Sequence, residues 1–239
     1  MSRAPNGLVG TALRRIEDFL LEPAEPADAP GDRAPSRATG PRPVIAVVGL
    51  GRRCGATVVA RALAAELAAR DPGGAGAVAS ASSGGGVPLA TSAARRLAES
   101  LADVPGASTT AVGRLCLVDG ADDGALAECA RHFAPLVLDR GAIEVEAGRI
   151  PADRFVLVTS PRIERALAAA AAACLRRSGI EPLVVTNMVR PGAAAAGTEV
   201  GVELPYSRAG AQLALGGRQA RGELGRAVAA LADLCEAPA

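Results

Sequence analysis

The most concentrated hydrophobic pattern in the chain is the run 44–48, in which Val44, Ile45, Val47 and Val48 are β-branched and no charge intervenes. Such a run predicts a parallel strand covered on both faces. Gly49, Gly51 and Gly55 follow, where backbone geometry and close approach are cheap. From Thr57 onward Val58, Val59, Ala62, Leu63, Ala65 and Leu67 predict a helix. Strand, glycine-rich turn and helix start in direct succession form the layout of a phosphate-binding loop, because a helix beginning there aims its free N–H groups at the loop's occupant. The other reading of these glycines is a tight strand-to-helix turn with no ligand.

The same rhythm continues downstream. A short strand is predicted over 75–81, ahead of a Ser/Gly run at 82–86, and a helix over 89–101. A strand over 114–118 ends in Asp119, Asp122 and Asp123 open a turn, and 125–133 fits a helix. Residues 135–139 form an apolar strand ending in Asp139, followed by Arg140 and Gly141. Residues 155–159 form the next, closed by Ser160 and Pro161, and 163–177 an alanine-rich helix. A strand over 182–186 ends at Asn187, a last strand over 200–204 precedes Pro205, and 222–235 reads as the closing helix, with Leu224, Val228, Leu231 and Leu234 on one face. Strands alternating with helices predict an α/β fold: a mostly parallel, doubly wound sheet with helices on both faces. Ligands of such sheets bind at the carboxyl ends of the strands. The glycine loop, Asp139 and Asn187 all fall there.

Upstream, Leu8, Val9, Ala12, Leu13, Ile16, Phe19 and Leu20 recur at helical spacing, with Arg14, Arg15, Glu17 and Asp18 on the other face. This predicts an amphipathic helix within 1–22. A proline-rich stretch over 23–43 has almost nothing to bury and reads as a flexible linker, leaving 44–236 as the folded domain. Three roles stand open for the helix: folding back on the domain or fraying, docking to a protein partner, or lying on a membrane surface.

Composition narrows the class. At 239 residues, with 49% hydrophobic types, the chain suits one sizeable domain with a tail. A net charge of +1 gives no general argument for nucleic-acid binding. The five cysteines, Cys54, Cys116, Cys129, Cys174 and Cys235, lack metal-type spacing and read as reduced core thiols of a cytoplasmic protein. Charges interrupt the apolar residues of 1–21, so no secretory core is present, and no run reaches transmembrane length. The single histidine, His132, closes a predicted helix and reads as a surface or capping residue.

The loop itself departs from the usual chemistry. A standard phosphate loop ends Gly-Lys-Ser/Thr, with the lysine on the terminal phosphates and the hydroxyl on magnesium. Here Gly55-Ala56-Thr57 stands in that place, and the chain contains no lysine. Arg52 and Arg53 bring charge to the loop, though arginine does not replace lysine at a tight point contact.

With these pieces in order, the stretch 44–235 resembles the MinD/ParA family of deviant-Walker P-loop ATPases, including its CpaE/TadZ-like relatives. The family loop Lys-Gly-Gly-x-Gly-Lys-Thr lies over Gly51, Arg52, Arg53, Cys54, Gly55, Ala56 and Thr57, of which Gly55 and Thr57 match. Both lysines are replaced, by Gly51 and Ala56. The resemblance implies a three-layer P-loop sandwich, with Asp139 as the Walker B or switch II acid, Asn187 reading adenine, and Pro205, Tyr206 and Ser207 entering the loop that lines the base. It implies ATP as ligand, and magnesium held by Thr57 and Asp139. The acid expected after the second strand has no counterpart in 79–86; an alternative alignment supplies Asp119 instead, at the cost of an insertion over 71–110. With its reaction centre incomplete, the chain is expected to be a nucleotide-binding or pseudo-ATPase localisation or scaffold module, with no catalytic residue assigned. It would work through a protein partner, with a homodimer in the manner of the family. The alternative is a slow ATPase switch that dimerises on ATP, with arginines doing the lysines' work. A sugar- or cofactor-forming relative of the fold ranks third, since no nucleophile or metal cluster appears.

Overall fold

Among the described residues, eight strands make up a single sheet in the computed structural model. It describes residues 43–71, 76–80, 90–105, 108–119, 129, 135–142, 152–163, 165–190 and 201–237. The chain divides into two units, Met1–Ser36 and Arg37–Ala239, and the first, with the expected helix and most of the linker, lies outside the described residues.

The elements are β1 (Val44–Gly49), α1 (Ala56–Arg70), β2 (Gly76–Ser80), α2 (Ser92–Leu101), β3 (Ser108–Val112), β4 (Leu115–Asp119), β5 (Leu136–Ala142), β6 (Arg154–Thr159), α3 (Arg165–Arg177), β7 (Pro182–Val189), β8 (Val202–Pro205), α4 (Arg208–Leu215) and α5 (Gly222–Glu236). Across the sheet the order is β3-β4-β2-β5-β1-β6-β7-β8. All neighbours run parallel except β3 and β4, which form an antiparallel hairpin at one edge. β1 lies inside the sheet between β5 and β6, where a strand buried on both faces belongs.

Strand alternation splits the core in two. Ile45 and Val47 join Leu117, Val137, Val156, Val158 and Val185 beneath α1, α4 and α5. Ala46 and Val48 join Cys116, Val118, Leu136 and Leu138 beneath Leu97 and Leu101 of α2. Helix α1 is buried almost all round, since it lies against the sheet and is flanked by α4 and α5. Arg70 closes its far end, its guanidinium bonding Glu66 at 3.1 Å and, on α5, Asp233 at 2.7 Å and Glu236 at 2.9 Å.

Two elements depart from the sequence expectation. The edge strand β3 was not predicted, because Ser108, Thr109 and Thr110 give it no apolar run and only Val112 is fully buried. Helix α4 was also not predicted; it has eight residues, carries Gly210 inside, and relies on the Ser207 hydroxyl accepting the Gly210 N–H at 3.0 Å. The helix expected over 89–101 starts at Ser92, behind a Thr91 cap whose hydroxyl accepts the Ala94 N–H at 3.1 Å. Of the helix expected over 125–133 only Cys129 lies among the described residues, and it is helical.

Candidate functional site

The glycine loop leaves β1 by folding back over it. A β-carbon at Gly49 would meet Cys54 Sγ at 2.5 Å, so only glycine lets the buried thiol pack there. Beyond it the Leu50 N–H donates to the Val158 carbonyl at 2.8 Å, holding the loop base to β6. Arg53 (φ 63) and Gly55 (φ 85) are both left-handed, flanking Cys54. Left-handed residues alternating in this way turn successive N–H groups into one concavity, the backbone arrangement that binds anions. Helix α1 then opens on Gly55 with no side-chain cap and no acid in its first turn. Its first backbone bond is Val59 N–H to the Gly55 carbonyl at 3.0 Å, which leaves the N–H groups ahead of Val59 directed at the loop. A helix start with neither cap nor acid is suited to an outside anion.

Arg52 and Arg53 are exposed at the loop's outer side, Thr57 is half-buried, and Cys54 and Ala56 are buried. At Gly51 an added β-carbon would make only an ordinary contact, 3.5 Å to Ile163 Cδ1. The backbone there has room for a side chain. The missing positive charge at position 51 is therefore a matter of residue identity and not of steric exclusion.

Asn187 is brought onto the loop from the other end of the sequence. It is 7% exposed, and its Nδ2 donates to the Cys54 carbonyl at 2.9 Å. The same nitrogen would stand 2.3 Å from a β-carbon at Gly55, so Gly55 serves both the left-handed turn and the asparagine's approach. Met188, directly after it, has φ 63, and the β7–β8 register shifts between Thr186 and Val189. Positive φ on a non-glycine residue is strained. Here it lies beside the side chain that fixes the loop.

Asp139 is 2% exposed and pairs in register with Val47 of β1. One of its oxygens accepts the Gly141 N–H at 3.1 Å. Pro205 pairs with Val189, and the Tyr206 N–H donates to the Val189 carbonyl at 2.8 Å. Tyr206 is exposed, and Ser207 is committed to capping α4. The fold thus brings the loop and Asn187 into contact and sets Asp139 on the adjacent strand. Pro205, three strands from β1, lies roughly 14 Å across the sheet.

Two further residues of this region gave no signal in the sequence. Arg61 is 3% exposed although it lies on α1 among alanines, and its Nη1 donates to the Leu215 carbonyl at 2.9 Å. Burial pushes the guanidinium's pKa down, while the charges of Asp139 and then Asp119 push it up. Thr159, at the carboxyl end of β6, is 5% exposed and its hydroxyl has no hydrogen-bond partner among the described residues.

The fold has solved counterparts. The ParA family ATPase from Chlorobium tepidum TLS superposes with a TM-score of 0.51 at 14% identity, covering 80% of this chain and 98% of that one. A chain of the MinC:MinD cell division protein complex of Aquifex aeolicus superposes with a TM-score of 0.53 at 15% identity, covering 80% and 94%. No protein-family model and no curated protein matches the sequence. The chain has a MinD/ParA-like P-loop fold, the α/β architecture that the alternation of strands and helices predicts. Among the described residues no helix is long and apolar enough to cross a membrane.

Proposed function

We propose that this chain is a nucleotide-binding module of the MinD/ParA-like fold that has given up phosphoryl transfer and works as a localisation or scaffold element. The observation that carries the reading is the start of α1, an uncapped helix N-terminus behind left-handed Arg53 and Gly55; the resemblance would set Gly51 and Ala56 at the places of the family's two lysines. Backbone N–H groups supply ground-state affinity for a phosphate. Phosphoryl transfer depends on charge placed at the transferring group, and a lysine's contribution there is of the kind worth about 3–4 kcal/mol in the transition state. Binding survives that loss better than turnover does.

In this reading Gly51 to Thr57 hold the phosphates, and the base extends toward Asn187 and Pro205. The output is a surface offered to a protein partner. A protein partnership is what the MinC:MinD complex displays for its own fold. The amphipathic stretch 1–22 is the second contact for that partner, and a homodimer on nucleotide is the family-like alternative output. The second reading, a slow ATPase switch, is favoured by one feature: exposed Arg52 and Arg53 in the loop. Calorimetric titration with ATP and ADP, run beside a phosphate-release assay, tests the choice. Binding without release supports the module, and release that is lost on substituting either arginine supports the switch.

A further inference from the structure

The two ends of the sheet carry their charge differently. At the amino ends of the strands the arginines are paired: Arg70, at the far end of α1, bonds Glu66, Asp233 and Glu236, and Arg176 bonds Glu181, the residue directly before β7. At the carboxyl ends they stand open. Arg140 lies near the end of β5, Arg52 and Arg53 in the loop after β1, Arg162 in the turn after β6, Arg190 directly after β7, and Arg208 beyond β8 at the start of α4. All six are exposed, and none is in an ion pair among the described residues.

The sheet order β5-β1-β6-β7-β8 sets these places side by side, four strand steps or roughly 19 Å in all. Local contacts tighten the row. A β-carbon at Gly51 would lie 3.5 Å from Ile163 Cδ1, which holds the turn carrying Arg162 against the loop carrying Arg52 and Arg53. The Tyr206 N–H donates to the Val189 carbonyl at 2.8 Å, which holds Tyr206 beside Arg190. The described carboxylates of this edge do not answer the arginines. Asp139 is 2% exposed with an oxygen on the Gly141 N–H, Asp119 is half-buried at the end of β4, and exposed Glu203 pairs with Thr186, four residues before Arg190.

We propose that this edge is the docking surface for an acidic segment of a partner protein, laid across the ends of β5, β1, β6, β7 and β8. An extended peptide of six residues covers roughly 20 Å, the length of the row. Arginine and an exposed tyrosine are the side chains that protein interfaces favour, and Tyr206 is 54% exposed. A nucleic-acid duplex would run beyond the row onto a chain whose net charge is only +1. A single strand would lack stacking platforms, since Tyr206 is the one exposed aromatic among the described residues. The proposal rests on the protein-partner part of the reading above and is independent of the nucleotide.

The test is fluorescence anisotropy of a labelled octaglutamate peptide with the full chain at about 0.15 M salt. The wild type binds it saturably and does not bind octaglutamine. Arg162→Gln with Arg190→Gln weakens the peptide by about fivefold or more. Arg96→Gln with Arg177→Gln removes the same charge from exposed positions on α2 and at the far end of α3, and changes affinity by less than about twofold. Equal losses in the two variants, or no saturable binding by the wild type, overturn the proposal. Displacement of the peptide by an equimolar thymidine octanucleotide, or by phosphatidylserine vesicles, also overturns it and assigns the row to a nucleic acid or a membrane. Circular dichroism checks that both variants fold; should one not, single substitutions at the same positions carry the comparison. ADP titrated calorimetrically into the same wild-type sample reads the nucleotide separately. If ADP fails to bind, the nucleotide reading falls while the peptide titration still decides the row.

Discussion

Asn187 Nδ2 and the Cys54 carbonyl, separated by 133 residues in sequence, meet at 2.9 Å and tie the end of β7 to the glycine loop. The bond is buried, so removing the donor leaves a carbonyl without water or partner. Asn187→Ala is expected to lower stability by about 1–2 kcal/mol. Nucleotide affinity should fall by more than that, because the loop's N–H groups lose their alignment together. Denaturant unfolding and calorimetry on the same variant separate the two effects. An affinity unchanged within error would show that the loop keeps its shape without the tie.

Gly49 and Gly55 are constrained for different reasons. At Gly55 an alanine must adopt φ 85 and press on Asn187 Nδ2, so Gly55→Ala should cost about 2 kcal/mol and weaken anion binding. At Gly49 the obstacle is mainly Cys54 Sγ at 2.5 Å, with the Gly141 carbonyl at 3.1 Å and Ala56 Cβ at 3.2 Å behind it. Gly49→Ala should therefore destabilise, and Cys54→Ala in the same chain should restore part of the loss. Chemical denaturation of the single and double variants measures this. Full additivity would mean that the thiol is not what excludes the methyl group.

Ala56→Lys adds a positive donor at the place where a phosphate loop carries one. Affinity for ATP should rise, while phosphate release stays near background because Gly51 still offers no second charge. Adding Gly51→Lys, for which the backbone has room, is the combination expected to bring measurable turnover. Turnover restored fully by Ala56→Lys alone would show that the rest of the reaction centre is intact.

The thiols of Cys116 and Cys235 are both pushed by burial up to about 12, from an ordinary value of 9.0. A group whose folded pKa is raised lends its stability in full below the unfolded value and loses it as pH climbs through the folded one. The protein should therefore be insensitive to these thiols below about pH 9 and lose stability progressively between about 9 and 12. Replacing either with valine should shift the alkaline unfolding midpoint upward, as read by circular dichroism. Exposed Cys174 should react with a thiol reagent in the native state well before the buried pair.

Much of this fold was legible because its strands are buried on both faces. Val44 to Val48 read as a parallel strand covered on both faces, which β1 is, and the turn into α1 could be read from Gly49, Gly51 and Gly55. The edge strand β3 escaped because an edge needs no apolar run, and Ser108 to Thr110 supply none. Arg61 escaped for a related reason: on an alanine-rich helix an arginine ordinarily marks the solvated side, and only the packing of α4 and α5 around α1 places it inside. Asn187 was visible as a strand-end residue, but its bond to Cys54 depends on register across β1, β6 and β7, which sequence spacing does not encode.

The loop proposed above binds nucleotide and does not hydrolyse it. Its most direct test is a single sample of purified protein followed by ATP calorimetry and by phosphate release over the same hours. Saturable binding that Asn187→Ala weakens is expected, with no phosphate released above the rate of ATP alone. Saturable phosphate release that disappears on substituting Arg52 or Arg53 would contradict it, and so would the absence of any nucleotide binding.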